Sequence, residues 1–80
     1  MGLTPEQQDV LKLMRGIVES HRTLSIGNAH ALKRLARDYF TVDLDVAPTI
    51  AAVRSRRGDL IHAEINRLQA AIREIEEQHR

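Results

Sequence analysis

The amino-acid sequence predicts an all-α protein: residues 1–80 as a single helical domain, a small three-helix bundle with a long amphipathic C-terminal helix. Three observations carry that expectation. Apolar residues recur at three- and four-residue spacing in three separate stretches. Each stretch opens on helix-start chemistry, at Thr4-Pro5, Asn28 and Pro48. At 80 residues the chain has room for one core only, and it buries about 60% of its unfolded surface.

The first helix is expected over about 5–20, in "LTPEQQDVLKLMRGIVESH". Thr4 stands as N-cap and Pro5 at the first helical position, where its missing N–H costs nothing. Gln7 completes the capping-box spacing. Val10, Leu13, Met14, Ile17 and His21 recur on one face, widened by Leu11 and Val18. Gly16 interrupts the helix at a cost of roughly 1 kcal/mol unless a neighbour packs there.

"RTLSIGN" then punctuates, and Asn28 is expected to cap a second helix, "AHALKRLARDYF". Leu32, Leu35, Ala36 and Tyr39 form its apolar face, with Lys33, Arg34 and Arg37 off it. "FTVDLDV" conflicts with the helical pattern. Phe40, Val42, Leu44 and Val46 alternate with Thr41, Asp43 and Asp45, the period of a strand. A lone strand leaves its backbone unsatisfied, so a short β-like segment at 40–46 would need "TLSI" or a second chain as partner. The simpler reading is an extended connection whose apolar side chains plug the core.

The third helix restarts at Pro48. Ile61, Ile65, Leu68, Ile72 and Ile75 follow a 4-3-4-3 spacing, the seam of a coiled coil. Either Gly58 breaks this helix and Asp59 caps its second half, or one helix of about 30 residues runs through, roughly 45 Å long. Glu76 and Arg80 are spaced as an i,i+4 pair.

Self-association follows as an expectation. So small a chain carries more apolar stripe than it can hide, and it has no cysteine to staple it. Ile61, Ile65, Leu68, Ile72 and Ile75 are the expected homodimer interface. The alternative packs them inside one chain on Val10, Met14 and Ile17.

Composition narrows the function. A net charge of +1 gives no global field for a polyanion, and Tyr39 and Phe40 are the only aromatics, too few for a base-stacking surface. No apolar run approaches the roughly 20 residues of a membrane span, and the N-terminus lacks a signal-peptide pattern. The chain reads as a complete small cytoplasmic protein. Ser20, Ser25 and Ser55 lack a spaced base and acid, and no Gly-rich phosphate loop occurs, so no enzyme is expected. His21, His30, His62 and His79 share no ligand spacing. Glu76 and His79 form a single Glu-x-x-His, where a di-iron bundle needs two and further carboxylates. Neither a metal nor another cofactor is expected. "RGD" at 57–59 is a chance-length match inside a helical setting.

The basic residues carry the remaining chemistry. In "VRSRRGDLIHAEI", Arg54 and Arg57 would share a helix face, with Arg56 elsewhere. Together with Lys33, Arg34 and Arg37 they would contact either a protein partner or nucleic acid. "LKRLARDYFTV" followed by "PTIAAVRSRR" resembles a helix-turn-helix in cadence, but its connection is longer than the usual three- to four-residue turn. "TVDLDV" with "GDLIHAEINRL" resembles a ribbon-helix-helix over some 20 residues, yet it would aim Asp43 and Asp45 at phosphates. The function expected first is therefore a non-catalytic, self-associating protein that binds a larger protein as regulator, adaptor or inhibitor. A DNA-binding regulator of helix-turn-helix type is the alternative.

Overall fold

A computed structural model describes residues 2–80. Those residues form four helices and no strand: α1 (Pro5–Ile17), α2 (Ile26–Phe40), α3 (Ala47–Ser55) and α4 (Gly58–Gln78). The all-α expectation holds, with one helix more than the three anticipated. At about 1.5 Å per residue α4 is roughly 31 Å long, and it sets the long axis of a 40 × 17 × 17 Å body. α1 packs on α2 and α4, and α3 packs on α2 and α4.

α1 starts as its sequence dictates. The Thr4 hydroxyl accepts from the Gln7 N–H, and the Thr4 N–H donates to Gln7 Oε1. The helix ends at Ile17, not near residue 20. Thr23 causes this: its hydroxyl donates to the carbonyls of Ile17 and Ser20 and accepts from the Ser20 N–H at 3.2 Å. A side chain thus takes over partners that another helical turn would have used.

α2 is capped by Ser25, not Asn28. The Ser25 hydroxyl accepts from the Asn28 N–H at 3.1 Å, while the Asn28 side chain donates back to the Thr23 carbonyl at 2.6 Å. Serine and asparagine are about equally good caps, so the local pattern left both open. The buried face of α2 is Ala29, Leu32, Ala36 and Phe40, with Leu35 half-buried and Tyr39 exposed, because the helix runs on through Phe40 and its face is centred on these residues.

Residues 41–46 are an extended connection, not a strand. Their period of two survives in the burial: Leu44 and Val46 are buried, Val42 half-buried, and Thr41, Asp43 and Asp45 exposed. The backbone finds partners without a sheet. The Val42 N–H reaches the Ala36 carbonyl, the Ala47 N–H reaches Asp45 Oδ1, and the Asp45 carbonyl accepts from Arg67.

The single C-terminal helix is divided before Gly58. α3 closes at Arg56, a left-handed residue (φ 57°), and α4 begins after Arg57 with no side-chain cap. Asp59 lies in the first turn of α4 and pairs with Arg57 at 2.9 Å rather than capping the helix. The break folds α3 back onto α4, which an unbroken helix would prevent.

Ile65, Leu68, Ile72 and Ile75 are buried within this one chain, in a core shared with Val10, Leu11, Met14, Ile17, Val18 and Leu32. Ile61 is partly buried against the same core. Four of the five residues expected to meet a second copy are thus buried within one chain, against Val10, Met14 and Ile17 among others. α4 packs on α1 and α3, and these elements share one core with α2.

Candidate functional site

Thr49 is the buried polar residue of the core, and its environment explains how α3 is held. Its hydroxyl donates to Glu64 Oε1 at 2.8 Å. Arg67, one turn along α4, donates to both Glu64 oxygens, to Thr49 Oγ1 at 3.3 Å and to the Asp45 carbonyl at 2.8 Å. Burial pushes the Glu64 carboxyl up. Hydrogen bonds from Arg67 and Thr49, with the Arg67 charge, more than offset this and hold it below the ordinary glutamate value. Asp45 opposes them weakly. The network ties connection, α3 and α4 together, and no buried side-chain N or O among the described residues lacks a partner.

With α3 fixed in this way, its outer side and the start of α4 form an open apolar groove. Pro48, Ala51, Ala52, Ser55, Leu60, Ala63 and Glu64 line it. Leu60 is 40% exposed, one of the few large apolar side chains left in solvent. Pro48, Ala51 and Ala63 are exposed too. The α3–α4 corner closes the end between Ser55 and Leu60 and carries Arg54, Arg56 and Arg57. Arg57 is paired with Asp59, whereas Arg54 and Arg56 make no ion pair among the described residues. The anticipated common face of Arg54 and Arg57 does not exist, because the helix ends between them.

Lys33, Arg34 and Arg37 lie on a different surface. With His30 they line a shallow depression along α2, at positions i, i+3, i+4 and i+7 of one face. No arginine of 54–57 lines that depression. The structure therefore separates the six basic residues grouped from the sequence into an α2 row and a corner cluster. It also adds His30, which the i, i+3, i+4, i+7 spacing could have flagged. The Pro48–Leu60–Ala63 groove had no such signal, because it exists only once α3 folds back.

A second apolar hollow lies between α1 and the α1–α2 turn, around the 57%-exposed Leu13, Gly16 and Ile17. His21 and His62 are brought together from distant sequence positions, ring centroids 6.0 Å apart. Glu76 and His79 do not converge on a common point: Glu76 pairs with Arg15 and Arg80, and the His79 ring faces backbone carbonyls. No group of three or more His, Cys, Asp or Glu side chains among the described residues could hold a metal ion. No helix of the described residues is long and apolar enough to cross a membrane. No protein-family model, curated protein or solved structure matches this chain.

Proposed function

We propose that this protein is a non-catalytic binding module whose α3–α4 groove receives an amphipathic segment of a larger protein, carrying at least one acidic residue. The observation that supports it most is the pairing of two features at one place. An exposed apolar trough built from Pro48, Ala51, Leu60 and Ala63 reaches Ser55 and Leu60, and the adjoining α3–α4 corner carries Arg54 and Arg56, which make no ion pair among the described residues. Small side chains at 51, 52 and 63 let a partner backbone approach closely, and Leu60 offers an apolar anchor. Such a trough suits the apolar face of a helix, read at i, i+3 or i+4 and i+7. The free guanidiniums select for an acidic residue next to that face and against a basic one. Self-association is not needed for this reading, since the apolar stripe of α4 is already covered.

Selection from a displayed library of amphipathic peptides tests the proposal. Enriched sequences are expected to combine apolar residues at helical spacing with Asp or Glu at one end. Leu60→Lys and Ala51→Arg should abolish their binding, and Arg54→Ala with Arg56→Ala should weaken it about tenfold, roughly 1.4 kcal/mol for the lost charged contacts. Failure to enrich any sequence, or enrichment of peptides indifferent to Leu60→Lys and Ala51→Arg, would overturn it.

A further inference from the structure

The row His30, Lys33, Arg34 and Arg37 is independent of the groove just described and uses another helix. We infer that it is a second binding surface, for the phosphate backbone of double-stranded nucleic acid, read without regard to sequence. The four side chains stand along one exposed face of α2 between residues 30 and 37, a rise of about 10.5 Å. Four successive phosphates of one DNA strand span about that much, at roughly 3.4 Å of duplex axis per step. The cations form a row, suited to a succession of phosphates, rather than a cup suited to one.

The existing partners of this row are weak competitors. Arg34 makes no ion pair among the described residues. Lys33 is 3.9 Å from Asp43, whose side chain is 92% exposed and free to swing aside. Arg37 meets its neighbour Asp38 through Nε at 3.4 Å, which leaves both terminal nitrogens for a phosphate. No Phe, Tyr or Trp lines the depression, and the single His30 ring is no platform for a run of unstacked bases, so the duplex is favoured over a single strand. The helix-turn-helix geometry is not required, since the contact is to the backbone alone.

NMR titration of the whole chain with a mixed-sequence 12-base-pair duplex, at 50 and 200 mM salt, tests this. Amide shifts confined to 30–37 are expected. Three cations (Lys33, Arg34, Arg37) predict a dissociation constant rising about 40-fold between the two salt concentrations. Arg34→Ala with Arg37→Ala should weaken binding at 50 mM and reduce that salt ratio to about threefold. Arg54→Ala with Arg56→Ala should change nothing, which keeps this test separate from that of the groove. The inference is overturned if no shifts appear at 50 mM, or if they map to 54–57. It is equally overturned if a phosphorylated peptide or a single strand binds more tightly than the duplex.

Discussion

Nε2 of His79 lies 3.0 Å from the carbonyl oxygen of Phe40, and the His79 ring stands edge-on to the Phe40 ring at 5.1 Å. The other ring nitrogen, Nδ1, is 2.8 Å from the Ile75 carbonyl. Carbonyl oxygens only accept, and a neutral imidazole has one N–H, so only the charged ring can donate to both. The C-terminal turn of α4 is thereby pinned to the end of α2. At this end Glu76 of α4 pairs with Arg15 of α1 and with Arg80, just beyond α4.

This relationship predicts a C-terminal clip. His79→Ala should cost about 1 kcal/mol, and amides of 76–80 should exchange faster in the variant than in the parent at the same pH, as both contacts are released. A His79→Ala protein whose C-terminal amides exchange as slowly as the parent's would refute the clip.

Glu64 makes the stability depend on pH. Its carboxyl is held below the ordinary value, so the folded state favours the ionised form. The resulting stabilisation is present above the usual glutamate range and is lost as pH falls through the lowered folded value. Denaturant melts of Glu64→Gln and the parent should diverge at pH 7 and converge toward pH 3. Arg67→Met should destabilise by about 1–3 kcal/mol, below the range for fully buried pairs because Arg67 is 38% exposed.

Leu68 is fully buried and faces the interior of a single chain. Leu68→Ala should therefore lower stability by about 2–5 kcal/mol without changing the mass measured by light scattering. A parent that scatters as a dimer, and a variant that dissociates to a folded monomer, would restore the α4 stripe as a seam between chains.

Two backbone positions should respond to glycine in opposite senses. Gly16 lies within α1, and a Cβ built there meets nothing within 4 Å, so Gly16→Ala should raise stability by about 0.5–1 kcal/mol. Thr41 ends α2 in the left-handed region (φ 56°), where a β-branched residue is strained. Thr41→Gly should be stabilising or neutral, against the usual cost of introducing glycine, whereas Thr41→Val should not relieve the strain. Thermal melts of the three variants check both statements.

The sequence by itself determined the helical class, the start of α1 at Thr4-Pro5, and which residues of α4 are apolar, because caps and periodicity act over three or four residues. It also contained the alternation of 40–46, whose inward side chains the connection uses as anticipated. Tertiary structure decided the rest. Ser25 displaced Asn28 as a cap of similar quality, through the contact Asn28 makes with Thr23. Whether Gly58 interrupts the helix was open from propensity alone, since one glycine costs a helix only about 1 kcal/mol. In the fold, the break lets α3 cover the core and lets Thr49, Glu64 and Arg67 satisfy one another. That one corner also decided the surfaces. It created the Pro48–Leu60 groove and parted Arg54, Arg56 and Arg57 from the row on α2. Such outcomes depend on contacts between residues far apart in the chain, and local spacing carries no record of them.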